Sequence, residues 1–275
     1  MVYYKTEEEV ELIRKSCLLV CKALAHVAAH IKPGVSGVQM DQLAEELIKD
    51  HNALPAFKGY RGFPATLCIS VNEQVVHGIP TKEEFIDGDI VSIDCGTYMN
   101  EFFGDSAYTF ALGEVKKETM QLLEVTNTSL YKGIAKAVDG QRIGDIGFAV
   151  QDYCEKTYKY GVVRELVGHG IGRSLHEPPE VPNYGKRGRG AKLKEGLVIA
   201  IEPMVNLGKR AVKQLNDGWT VASKDGSMSA HYEHTICVQK GKALILSDHT
   251  LIEKEIEKNS NVNKVAIRAN ELTEV

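Results

Sequence analysis

Two stretches of this chain, GDIVSID at residues 88–94 and GLVIAIE at 196–202, share one register: an apolar, β-branched run that begins on Gly and ends six residues later on an acid. Each is followed by a second segment that opens on an acid, DSAYTFALG at 105–113 and EHTICVQKG at 233–241, with that acid eight residues before a Gly. Each is preceded by a His-Gly-Ile tripeptide, at His77 and at His169. A register kept over three separated segments identifies an internal duplication, and that constrains the architecture more than composition can.

The intervening segments repeat as well. Thr6-Glu7-Glu8-Glu9 has the capping-box pattern, and apolar residues from Val10 to about Val27 recur at helical spacing until Pro33-Gly34 stops them. A second helix follows from about Val38 to Lys49, with Met40, Leu43, Ala44 and Leu47 on one face. Met120 to about Val138 predicts a third; Asp139-Gly140 breaks it, and Ile146, Ala149, Val150 and Tyr153 form one face of a fourth. The chain therefore reads as one α/β unit of the α+β kind, in which two pseudo-two-fold halves share a curved, mainly antiparallel sheet with helices outside. Pseudo-repeats at about 7–113 and 114–241 lie in a single domain over residues 1–250. Residues 251–275 are polar and weakly periodic, and are expected as an appendage, part of it disordered.

Packing the halves about such an axis brings Asp94, Asp105, Glu202 and Glu233 together. Gathered carboxylates repel one another, and buried charges are normally paired or bound to metal. Two divalent cations balance four carboxylates, so a dinuclear site is the simplest solution. Oxygen-rich donors with one imidazole suit Mn²⁺, Fe²⁺, Co²⁺ or Zn²⁺ alike. One acid at a strand end is ordinarily solvated or salt-bridged, but that reading fails for four in matched positions. His169, which precedes Glu202 in the repeat, is read as the ligating imidazole; its counterpart His77 and the nearby His176 are read as supporting or substrate-facing groups. Two ions roughly 3.5–4 Å apart lower the pKa of a shared water from about 16 toward about 7 and polarise a carbonyl. That is hydrolysis without a nucleophilic side chain. The sequence has no GxSxG, HExxH, P-loop or complete GxGxxG that would indicate another engine. His26 and His30 have the spacing of paired metal histidines but lack the Glu, and are assigned to packing or surface.

Composition narrows the partners. The 275 residues are 43% hydrophobic and 25% charged, an ordinary globular balance, and a formal charge of −4 gives no general affinity for nucleic acid or anionic membrane. The acidic N-terminus and the lack of a long apolar run predict a cytoplasmic protein. Six scattered cysteines without a CxxC pair read as reduced, buried side chains. The basic stretch 186–192 could touch phosphate, ribosomal RNA included, but it is short and has no interleaved aromatics, so a solvated loop is the plainer reading. Nothing demands more than a monomer.

On the motifs SVNEQVVHGIP, DCGTYMNEFFGDSA, VGHGIGRSLHEPP, IAIEPM and SAHYEHT, the sequence resembles the type I methionine aminopeptidases of metallopeptidase family M24, in the bacterial form, from about residue 3 to residue 250. The resemblance implies the duplicated "pita-bread" fold and removal of the initiator methionine from nascent chains whose second residue is small. It implies Asp94, Asp105, His169, Glu202 and Glu233 as ligands of two metal ions, with Asp105 and Glu233 bridging. It further implies Glu202 as proton shuttle to the attacking water, His77 near the leaving nitrogen and His176 beside the scissile carbonyl. Tyr60, Phe63, Cys68 and Trp219 match its pocket for the methionine side chain, where a flexible thioether packs well on aromatic rings. Three positions depart from the common pattern: Phe63 for Tyr, Leu175 for Phe and His231 for Gln.

Two other readings share the fold. An Xaa-Pro aminopeptidase or prolidase usually carries an extra N-terminal domain, whereas here about 60 residues precede the first pocket motif. A non-catalytic binding protein on this fold is expected to have lost ligands, and all five are retained.

Overall fold

The computed structural model describes residues 2–268. The helix pairs form as the sequence predicts. In the first pair, α1 (Glu7–His30) carries a full capping box between Thr6 and Glu9, and α2 (Gly37–Asp50) carries another between Ser36 and Gln39. These reciprocal bonds satisfy amides that a helix start would otherwise leave unpaired. The second pair is α3 (Lys117–Ile134) and α4 (Ile143–Gln151). Ile13, Val20, Leu24 and Val27 of α1 are fully buried. A stripe of this kind seals one face of a sheet against water, which is the main stabilisation available to an amphipathic helix.

Each half forms most of one five-stranded antiparallel sheet, the first sheet taking its fifth strand from Val262–Asn263 and the second from Leu244–Ile245. In the first, Ile90–Met99 and Phe102–Leu112 pair over ten positions, from Ile90 with Ala111 to Met99 with Phe102. The turn between them is Asn100-Glu101, both at positive φ, as a tight two-residue hairpin requires. Leu67–Val71 pairs with the other edge of Ile90–Met99, setting Cys68 opposite Asp94. In the second sheet, Val198–Ile201 lies between His234–Cys237 and Gly168–Gly170, with Glu177–Val181 beyond. Side-chain and main-chain bonds stitch the two sheets together: Glu233 N donates to Ala107 O at 3.0 Å, Ser106 Oγ to Glu233 O at 2.7 Å, and Thr235 Oγ1 to Asp105 O at 2.8 Å.

Two expectations are corrected. Asp94 and Asp105 lie inside their strands rather than at the ends, because the hairpin runs on past both acids to its turn. Glu202 and Glu233, by contrast, immediately follow and precede their strands. The segment after residue 250 is also not an appendage as far as residue 268. Helix α5 (Thr250–Ile256) buries Ile252 and Ile256, and Val262–Asn263 adds a strand to the free edge of Phe102–Leu112. Asn259 Nδ2 donates to the carbonyls of Ala28 and Ile31 at the end of α1, and Arg268 pairs with Glu124 at 2.7 Å. Its apolar residues are spread over a helix, a turn and a strand, so no single period marked them. The rest of the expected tail, 269–275, lies outside the described residues. Among the described residues no helix is long and apolar enough to cross a membrane.

Candidate metal centre

Strand register explains why the acids meet. Asp94 stands opposite Ala107 and Asp105 opposite Gly96, so the two aspartates are diagonal neighbours on one face of the first hairpin. Gly96 leaves room for Phe57, since a Cβ there would stand 2.6 Å from a carbon of that ring. In the second sheet Ile201 pairs with His234, and Glu202 and Glu233 emerge together just beyond that pair. Because Glu233 is bonded to Ala107, its side chain is delivered beside Asp105.

His169 completes the group. Its Nδ1 donates to Gly170 O at 2.9 Å, which fixes the tautomer and leaves the Nε2 lone pair facing the acids, 3.6 Å from Glu202 Oε1 and 3.9 Å from Asp105 Oδ2. Ligand atoms of Asp105, His169 and Glu233 all lie within 4.8 Å of one another. Asp105 and Glu233 are 3% and 1% exposed, whereas Asp94 and Glu202 reach the cavity surface. Burial drives the carboxyl pKa values of Asp94, Asp105, Glu202 and Glu233 well above the ordinary range, and mutual repulsion adds to this for all but Asp94. Burial pushes His169 down to about 4, so its imidazole is neutral. Asp94 Oδ1, Asp105 Oδ1 and Glu233 Oε1 are buried with no hydrogen-bond partner among the described residues. Orphaned carboxylate oxygens beside an unprotonated imidazole fit a divalent cation, since positive charge satisfies the oxygens and reverses the repulsion.

The acids form the floor of a cavity of about 180 Å³. Phe57, Tyr60, Phe63, Cys68, Leu175 and Trp219 line its apolar side, and His77, His176 and Arg61 its polar side. Phe63 and Trp219 meet edge to face, with ring centroids 5.2 Å apart. Tyr60 is presented by a loop that closes on itself through a Gly59 N to Phe63 O bond of 2.8 Å, with Gly59 and Gly62 both at positive φ. Its hydroxyl lies 2.9 Å from His176 Nδ1. Desolvation in the cavity wall, with His169, Arg61 and His77 close by, lowers His176 to about 3. It is therefore a neutral ring that can accept from Tyr60 at Nδ1 and donate from Nε2.

The loop carrying His176 is held from below: Lys5 Nζ pairs with Glu177 Oε2 at 2.5 Å with both side chains buried, and Glu177 Oε1 accepts from Ser174 N. Outside this cavity, His26 and His30 of α1 meet edge to face with ring centroids 4.7 Å apart.

Comparison with known proteins gives the family. The sequence matches the model of metallopeptidase family M24 over residues 11–240. The chain belongs to metallopeptidase family M24. Within it, a methionine aminopeptidase of Clostridium acetobutylicum is 49% identical over 86% of this chain and 95% of that protein. Methionine aminopeptidase 1 of Bacillus subtilis is 48% identical over 86% and 96% respectively. The crystal structure of a methionine aminopeptidase from Thermotoga maritima superimposes with a TM-score of 0.88 at 42% identity, covering 90% of this chain and all of that one. The pita-bread fold that the resemblance implied is thus the fold of this metallopeptidase, a hydrolase that uses divalent metal.

Sequence reading overlooked several residues of the candidate site. Phe57 precedes the pocket motif and carries no chemistry that would single it out. Lys5 and Glu177 are 172 positions apart, and only the fold pairs them. Asn183, whose Nδ2 donates to Glu202 O at 2.9 Å, lies in a loop without a pattern.

Proposed function

We propose that this chain is a cytoplasmic, monomeric aminopeptidase that removes the initiator methionine from nascent polypeptides and peptides with a small second residue. Asp94, Asp105, His169, Glu202 and Glu233 would hold two divalent ions, Mn²⁺, Fe²⁺, Co²⁺ or Zn²⁺, with Asp105 and Glu233 shared between them. The observation that carries the reading is the placement of Asp105 and Glu233: one acid from each half, side by side, buried, each with an unpaired oxygen.

Bound ions supply an acidified water and a polarised scissile carbonyl. The residues do the rest. Glu202, at the cavity surface, takes the proton from the attacking water. His176 donates from Nε2 to the carbonyl oxygen as negative charge develops there, held in that tautomer by the Tyr60 hydroxyl. His77 faces the leaving nitrogen. Tyr60, Phe63, Cys68 and Trp219 receive the methionine side chain, in a cavity sized for one side chain and not for a peptide segment. The basic loop 186–192 is read as a solvated surface: Gly188 N donates to Asp145 at the start of α4, and Arg187 lies over the Phe148 ring at 4.4 Å.

Mass spectrometry of Met-Ala-Ser and Ala-Pro-Ser after incubation with Mn²⁺ or Co²⁺, and with chelator, tests the proposal. Metal-dependent loss of Met from the first peptide alone is the expected result. Cleavage before proline would move the substrate to the prolidase class, and no cleavage with metal bound would mean a binding protein.

A further inference from the structure

His231 is an imidazole that the mechanism above does not use. It ends the strand Ser229–His231, opposite Met204. Its main chain is fixed on both sides by one hydroxyl: His231 N donates to Thr109 Oγ1 at 3.0 Å, and that hydroxyl donates to His231 O at 2.7 Å. With the backbone anchored to the first half, the ring is projected toward the site and is 1% exposed. Its Nε2 has no hydrogen-bond partner among the described residues, and buried ring nitrogens rarely stay that way. Glu202 faces it, with Oε2 3.8 Å from Nε2, while Glu202 Oε1 lies 3.6 Å from His169 Nε2.

Glu202 is thus bracketed by two imidazoles that differ in one respect. The hydrogen of His169 is committed to Gly170 at Nδ1, so Nε2 offers a lone pair to the site. No such bond commits His231, so its one hydrogen is free to sit on Nε2, toward Glu202. The gap closes to hydrogen-bond length with a side-chain adjustment of about 1 Å, and hydrogen bonds in catalytic sites are often long before substrate binds.

We propose that His231 is a positioning residue: its Nε2–H donates to Glu202 Oε2 and holds the carboxylate in the orientation that turns Oε1 toward His169 and the reacting water. The proposal deepens the reading of Glu202 as proton acceptor and rests on it. The carboxylate must serve a cation and a water at once, and a donor on one oxygen decides which oxygen does which.

The test compares His231→Gln, whose amide keeps a donor at similar reach, with His231→Leu, which keeps bulk and loses the donor. Loss of an outer hydrogen-bond partner typically costs about 10–100-fold in activity or metal affinity. His231→Leu is therefore expected to lower kcat on Met-Ala-Ser about 10–100-fold with KM within about twofold, and His231→Gln to restore kcat to within about threefold of the parent. The second readout is the visible absorption of the Co²⁺-loaded protein, which should shift in His231→Leu and not in His231→Gln. In a Glu202→Gln background, His231→Leu should shift the spectrum no further. Should the Leu variant fail to fold, His231→Phe keeps a ring and removes both nitrogens. Unchanged kcat and spectrum in the donor-free variant would overturn the proposal, as would equal impairment of Gln and Leu, which would make His231 a packing residue. If the parent itself releases no methionine the functional reading fails, and the spectra still decide whether His231 acts on Glu202.

Discussion

The first half turns from Ile90–Met99 into Phe102–Leu112 through two residues, whereas the matching strands of the second half, Val198–Ile201 and His234–Cys237, are separated by residues 202–233. The short connection makes the first half a continuous platform in which Asp94 and Asp105 are fixed by ten positions of register. The long excursion leaves Glu202 and Glu233 at strand ends and brings Trp219 and His231 to the same cavity region. A duplicated framework has thus been used twice, once to hold charge rigidly and once to surround it with groups that recognise and react. Side-chain length agrees with this division: aspartates project from within strands, and longer glutamates reach in from strand ends.

The division gives unequal predictions for the two acids that reach the cavity surface. Glu202→Gln should lower kcat by about 10²–10⁴-fold, the usual worth of a general base, even at saturating metal. Asp94→Asn should act mainly through weaker metal binding, so that added metal restores much of its rate. Metal titration with steady-state kinetics separates the two, and the same behaviour in both variants would break the comparison. Next in size, His176→Ala should lower kcat by about 10²–10³-fold with metal content unchanged, the loss expected for an oxyanion donor. Loss of metal in that variant would place His176 among the ligands.

A third prediction concerns pH. The buried carboxyls have folded pKa values above their unfolded ones, so in the chelated protein the folded state keeps protons that the unfolded chain has released. Stability should therefore be greatest below the ordinary carboxylate range and fall as pH rises through it toward the folded values. Divalent ions replace those protons, so the difference in Tm between metal-loaded and chelated protein should widen from pH 5 to pH 8 in calorimetric scans.

Smaller effects should follow from the supports. Lys5→Met removes the partner beneath the His176 loop, and a misplaced catalytic group of this kind should lower kcat by about tenfold while leaving metal content intact. Asn259→Ala, which uncaps the end of α1 in the first half, should cost about 1–2 kcal/mol in denaturant unfolding and leave kcat unchanged.

Much of this was legible in sequence because it is written locally. The capping box at Thr6 and the Gly88-to-Asp94 and Gly196-to-Glu202 register each lie within a few residues, so the first helix and the duplicated strands could be read directly. The acids' positions within the first hairpin could not, because the Asn100-Glu101 turn lacks the glycine that usually marks such hairpins. The packing of residues 250–268 and the pairs Lys5–Glu177 and His231–Glu202 join parts of the chain with no common period, and tertiary structure alone reveals them. The duplicated register identified the acids; the stitching of Ala107 to Glu233 decides which acids are neighbours.

The most direct test of the account is the number of divalent ions bound per chain, measured by mass spectrometry of metal content and by calorimetric titration, in the parent and in Glu233→Gln. Two ions are expected in the parent, and paired binding should be lost, with most of the activity, when the second half's shared acid is neutralised. Two ions retained in Glu233→Gln with near-native turnover at saturating metal would contradict it.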